Sequence, residues 1–404
     1  MQKKLIVLAV VGAISFGALA APGGESALAY EFYGRLNTGL DTYSATGATA
    51  GTAADFKSRS RMFDANSRLG VRGSLALSDG FKGVYQVESG FNSDTGSNVG
   101  QAGFVNASTG FIGSRPTYLG VAGPFGEVRL GRQEVFWGTS TVDLIGPDYV
   151  NTASNLFLGN GLVAPPYTRT SNVLAWYSPN FNGFTGTFGY IFDAETAGAG
   201  VNTNASGTWI RANYRNGPIV LQWDYAKKNM TDVGAATGIP DYVGNKVGVA
   251  YKYANNSQVG LMYTALANHH ISAASNPGAI ALGVARPGDN ITQSDWVLEW
   301  EHALTPKLQS LLEYGRSGHV NGASIATTSS ATESHSLMLG LRYFFSDKAC
   351  FYLTYNQTTN GAKALGDYVA SSYTSVGGGA GLYSAPGSAG ADPRIIAVGM
   401  RYDF

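Results

Sequence analysis

Apolar and polar residues alternate one for one along much of this chain. Between Ser67 and Leu77 the apolar residues Leu69, Val71, Leu75 and Leu77 hold odd positions, and Arg68, Arg72 and Ser74 hold even ones. From Phe81 to Phe91, Tyr85 and Val87 share one face while Lys82, Gln86 and Glu88 share the other. Leu337, Leu339, Leu341, Tyr343 and Phe345 repeat the pattern, and Ile396, Val398, Met400, Tyr402 and Phe404 close it. A period of two predicts β-strands with one oily and one wet face. Beyond the first twenty residues no run reaches the ~18 apolar residues of a membrane-crossing helix.

Turn residues punctuate the pattern and can be counted. Short turns are expected at Ser78-Asp79-Gly80, Pro124-Phe125-Gly126, Asn182-Gly183, Asn216-Gly217, Asn255-Asn256, Thr305-Pro306 and Ser346-Asp347. Between them lie longer polar stretches at about 45–66, 92–114, 134–167, 193–207, 229–244, 267–291, 317–333 and 359–392. Seven short turns alternating with eight long loops separate sixteen antiparallel strands, with both chain ends on the short-turn side.

A soluble sandwich alternates too, but its inner faces must be dry. The wet face here includes Arg68, Lys82, Glu88, Asp224, Lys246, Glu299 and Glu313, which a dry core does not tolerate. Aromatic residues gather near strand ends, as at Tyr30/Phe32/Tyr33, Trp176/Tyr177, Trp296/Trp300 and Tyr402/Phe404. Both features predict an all-β, 16-stranded transmembrane barrel, oily outside and wide enough inside to hold water.

Composition then narrows the function. With 27 basic and 27 acidic residues the chain has no bulk charge to draw it to nucleic acid. A single cysteine, Cys350, excludes a disulfide framework, and its place beside a short turn marks it as a packing residue. Lys3 and Lys4, the apolar stretch Leu5 to Phe16 and Ala18-Leu19-Ala20 form a secretory signal peptide over residues 1–20, leaving 21–404 as the barrel domain. A second small-residue site, Ala27-Leu28-Ala29, offers the alternative cleavage point.

The motifs carry a resemblance. Ser67-Arg68-Leu69-Gly70, Gly126-Glu127-Val128-Arg129-Leu130-Gly131-Arg132-Gln133, and Arg169-Thr170-Ser171-Asn172 followed by Ser178-Pro179-Asn180-Phe181-Asn182-Gly183-Phe184 are similar, in order and spacing, to the trimeric general porins of Gram-negative outer membranes, Neisseria and Burkholderia type. The ending Arg401-Tyr402-Asp403-Phe404 resembles the terminal-aromatic signal for barrel insertion, with Phe404 as its key residue. The resemblance implies a passive channel for ions and small hydrophilic solutes. It also implies a homotrimer, an outer membrane of lipid and lipopolysaccharide, no cofactor and no nucleic-acid partner.

In such porins the third long loop folds inward and faces a ladder of arginines. The corresponding segment runs from Glu134 to Thr168 and carries Glu134, Asp143 and Asp148. Arg68, Arg115 and Arg169 stand at the matching motif positions, and alternation alone puts Arg68, Arg72, Lys82 and Arg129 on the wet face. Arg115 shares the parity of Leu119 and Val121, so alternation speaks against it. Opposed charges across a gap make a transverse field that sorts solutes by charge. A channel preferring anionic solutes and a loop-mediated adhesin are the alternative readings. A barrel enzyme is a third, but His269, His270, His302, His319 and His335 show no metal-ligand spacing, and neither a G-x-S-x-G elbow nor a Walker lysine occurs.

Overall fold

A computed structural model describes residues 28–94, 112–136, 160–166, 169–192, 206–229, 241–273, 275–366 and 389–404. The expected leader, residues 1–20, and the acids Asp143 and Asp148 lie outside the described residues. In chain order the strands are β1 (Leu28–Thr46), β2 (Phe56–Asp64), β3 (Arg68–Ala76), β4 (Lys82–Gly90), β5 (Thr117–Gly123), β6 (Gly126–Glu134), β7 (Arg169–Tyr177) and β8 (Phe184–Ile191). They continue as β9 (Gly207–Asn216), β10 (Ile219–Asn229), β11 (Asp241–Ala254), β12 (Ser257–His269), β13 (Ile291–Ala303), β14 (Leu308–Ser317), β15 (Ser334–Ser346), β16 (Ala349–Asn360) and β17 (Asp392–Asp403).

All 17 strands belong to one antiparallel sheet, and β17 pairs with β1 from Arg35↔Asp403 to Thr46↔Asp392, closing it. Strands β2 and β3 together make one staff of the barrel, so the barrel has sixteen. Along β1, Thr38 faces Asp64 and Arg35 faces Arg68, so two residues oppose the three at 65–67. That extra residue is a bulge, and it reverses the phase: Met62 points outward before it and Leu69 after it. The long stretch expected at 45–66 is thereby corrected, because residues 56–64 are strand. Its alternation is out of phase with that of 68–76 and cannot be read as a continuation.

Each of the seven expected short turns joins consecutive strands. At Asn182 and Gly183 φ is 52° and 97°, the left-handed region in which Asn and Gly are the cheapest residues. The outer face is apolar, with Phe32 68% and Leu119 67% exposed, as a surface in hydrocarbon must be. Aromatic pairs stand at the short-turn end, among them Phe184–Tyr214 at 4.3 Å and Phe345–Phe351 at 4.9 Å between ring centres. No described helix is long and apolar enough to cross a membrane, and an α-helix, α1 (Pro277–Ala281), sits in the connection between β12 and β13.

The inner face is mixed. Asn37, Asp224, Glu299, Glu313 and Asn356 are buried on it. Between β7 and β13 it is also apolar, through Val173, Ala175, Trp209, Met262, Leu266 and Val297. What covers that apolar part decides the shape of the interior.

Candidate pore and its inward loop

The covering residues come from the connection between β6 and β7. Val135, Phe136, Leu162 and Val163 are buried in one cluster with the apolar part of the inner wall. Phe136 and Pro166 meet over Gly244 of β11, where an added Cβ would lie 2.6 Å from Phe136 Cζ and 2.9 Å from Pro166 Cδ. Only glycine leaves room for both limbs of the connection at that point. The limbs therefore leave adjacent strands, pass β8 to β10 and come together on β11.

Beyond Pro166 the returning limb is fixed by side-chain amides. Asn268 of β12 accepts from the Ala164 nitrogen at 2.8 Å and donates to the Ala164 oxygen at 2.9 Å. Asn276 donates to the Leu162 oxygen at 3.1 Å and to Asn268 Oδ1 at 2.7 Å. Asn160 donates to the Thr332 oxygen and Ser334 Oγ, and accepts from Gln293 Nε2 of β13. The limb thus reaches from β7 to the start of β15, roughly half the circumference. Irregular backbone buried this way needs every polar group satisfied, and short amides do it where no strand can.

The outgoing limb is held electrostatically. Lys246 of β11 donates to the Phe136 oxygen and lies 5.1 Å from that ring's centre and 3.6 Å from Asp224 Oδ2. Asp224 also accepts from Arg211 Nε at 2.6 Å and Trp209 Nε1 at 3.2 Å.

The arginines expected from the motifs lie on the wall from which the loop departs. Arg115 and Tyr33 both bond to Glu88, the tyrosine at 2.9 Å, and Arg68 Nε stands 4.0 Å from the same carboxylate. Arg115 also donates to Asn66 Oδ1 at 2.6 Å, so the bulge residue orients it. Its unfavourable parity has no force, because Arg115 precedes β5 and Pro116 follows it. Arg169 Nε bonds to Glu134 Oε1 at 2.8 Å, and both are within electrostatic reach of Arg115. Arg68, Arg115 and Arg169 thus gather around Glu88 and Glu134, three cations to two anions. Glu134, expected on the facing loop, is the last residue of β6 and stands among the arginines.

Of the other wet-face cations, Arg72 reaches the edge of the cluster, its guanidinium 4.9 Å from the ring centre of Tyr33. Arg129 bonds to Glu127 at 2.6 and 3.2 Å and is sandwiched between Tyr118 and Tyr177, 4.4 and 4.3 Å from their ring centres. Arg72, its side chain 54% exposed, pairs with Glu31 at 2.8 Å. Lys82 opens β4 beside the short turn. None of the three bonds to the arginine cluster among the described residues. Phe404 exchanges two backbone bonds of 3.1 Å with Gly34 at the seam of β17 and β1.

Sequence reading singled out Lys246 and Asp224 only as wet-face residues and passed over Asn160, Asn268 and Asn276. An asparagine at an inward strand position, as in β12, was the available signal.

A sequence profile described as Gram-negative porin matches residues 7–363. The chain belongs to the Gram-negative porin family. Outer membrane porin protein 32 of Delftia acidovorans is 28% identical over 240 residues, 55% of this porin and 60% of that one. Major outer membrane protein P.IB of Neisseria meningitidis serogroup A is 25% identical over 233 residues, 58% and 61% of the two chains. The porin thus spans about three fifths of the length of these relatives. Among solved structures, an anion-selective porin from Comamonas acidovorans superposes with a TM-score of 0.70 at 20% identity, covering 93% of this porin and all of that chain. The channel DcaP of Acinetobacter baumannii gives 0.63 at 12% identity over 96% of this porin. At those identities the likeness is one of fold. Family membership places this porin in the Gram-negative outer membrane and sets the barrel-enzyme reading aside.

Proposed function

We propose that this porin is a passive diffusion channel for ions and small hydrophilic solutes, narrowed by the loop between β6 and β7 and tuned toward anions by Arg68, Arg115 and Arg169. The observation that carries the reading is the loop's course: its limbs cross the interior to β11, and one continues to β15. The excess of one cation in the cluster around Glu88 and Glu134 supports anion preference. Arg72, Lys82 and Arg129 belong in this reading to the approach from the short-turn side, and Asp143 and Asp148 are the loop acids that the family resemblance sets against the arginines. Residues 1–20 act as the export signal, residues 21–404 as the barrel, and Phe404 as the insertion mark. Three copies assemble among lipid and lipopolysaccharide.

Single-channel current of the refolded porin in a planar bilayer, with reversal potential under a salt gradient, tests it. Openings in groups of three and an anion-signed reversal potential are expected. Changing Arg115 and Arg169 together to Gln should shift the anion-to-cation permeability ratio toward cations by about threefold or more, since a narrow, charge-lined passage senses each fixed charge. A folded barrel that carries no current would overturn the channel reading, and an unmoved reversal potential would overturn the role of the arginines.

A further inference from the structure

We propose that Lys246 and Asn268 are positioning residues of the channel, each holding one limb of the inward loop against the wall, so that together they set the free cross-section. The inference rests on the channel reading above and adds what fixes the width.

Two observations single out Lys246. Asp224 accepts from Arg211, Trp209 and Gln222, so the carboxylate keeps a cation and two neutral donors when the ammonium, 3.6 Å away, is replaced. What the ammonium adds is a donor for the Phe136 oxygen. Phe136 itself has φ 56°, a left-handed backbone that a bulky residue keeps only where its surroundings impose it. Its ring is seated over Gly244, and its carbonyl is turned to Lys246. Ring and carbonyl are thus each held, and the limb cannot lift without losing both contacts.

Asn268 acts differently. It bonds to both backbone groups of Ala164, the exchange that a neighbouring strand would make, but with a side chain instead of a strand. The limb therefore lies on β12 as an added rung. Its further ties, through Asn276 and Asn160, run to the connections beyond β12, β14 and β16, whereas the ion pairs around Lys246 described above lie on β9 to β11. Among the described residues the two limbs meet at Gly244 and in the apolar cluster of Val135, Phe136, Leu162 and Val163, while their polar anchors are different residues.

The test uses Lys246→Met and Asn268→Asp in the full chain, refolded and certified as barrels by their heat-dependent gel mobility. Asn268→Asp keeps the shape but turns a donor into a second acceptor facing the Ala164 oxygen. Each variant is expected to raise single-channel conductance about twofold, to make the open level noisier, and to admit larger polyethylene glycols. Lys246→Arg, which keeps a donor for the Phe136 oxygen, should bring conductance back toward wild type. Folded variants with wild-type conductance, noise and polymer cut-off would overturn the assignment. Should Lys246→Met fail to fold, Asn268→Asp decides alone by the same readouts. A silent wild type overturns the channel reading and this inference with it, whereas a conducting wild type with unchanged variants overturns the inference alone.

Discussion

Glu88 is the residue on which most of the described wall chemistry converges. It serves Arg115, Arg68 and Tyr33 at once and is buried. Removing one partner of a buried ion pair leaves the other desolvated without compensation, which costs far more than losing an exposed pair. Glu88→Gln is therefore expected to lower stability by roughly 3 kcal/mol in urea unfolding of the refolded barrel, while an exposed pair such as Arg72–Glu31 should contribute less than about 1 kcal/mol. Asp289, in the connection after β12, is a second case. Partial burial works to raise its pKa, but the Arg286 and Ser324 nitrogens and the Ser324 hydroxyl, all 2.8 to 2.9 Å away, donate to the ionised form and hold it below the usual carboxylate value. A depressed carboxyl stabilises above its unfolded value and loses that contribution as pH falls through its folded one. The tie between Asp289 and Ser324 should therefore be intact at pH 7 and loosen only below about pH 4, read as faster hydrogen exchange at the Ser324 amide.

Among the elements, the long strands from β11 to β17 and the seven turns were legible because strict alternation and Asn, Asp and Gly in turns are local signals. The staff made of β2 and β3 was half legible. Its lower part alternates cleanly, but the bulge at 65–67 shifts the phase by one, and a phase shift in sequence looks like a loop. The same bulge supplies Asn66 to Arg115, an arginine that parity counting misjudged because it precedes β5. The limbs of the inward loop were not legible at all as contacts. Nothing local in Asn160 or Asn268 says that its partner lies on a distant connection. Deleting Asn66 should remove the extra residue and run β2 and β3 into one regular alternation, with Phe63 and Arg61 still inward and Leu69 and Leu75 still outward, while Arg115 loses the amide that accepts from it. Retention of the heat-dependent mobility that marks a folded barrel is the expected result, and a deletion variant that no longer folds would contradict it.

For the whole molecule, closure is the dominant fact. Each strand is satisfied by two neighbours, and the last pairing joins β17 to β1 across nearly the full length of the sequence. The described residues divide the barrel into two unlike halves. One wall carries the arginine cluster on β3 to β7, and the other carries the seat and anchors of the loop on β10 to β13. Alternation foretold that the interior is polar; it did not foretell that a stretch of it is apolar, because an apolar inner wall is useful only when something lies on it.

The β17 to β1 seam has a temporal consequence. Until these two strands meet, every partly formed sheet has two raw edges, each able to recruit a foreign strand. Because the meeting partners are separated by almost the entire chain, the step that removes both edges is also the one with the largest loop to close, and it comes late. The nascent molecule must therefore be escorted through a long edge-exposed interval, and the pairing that ends its vulnerability is the one that completes the barrel.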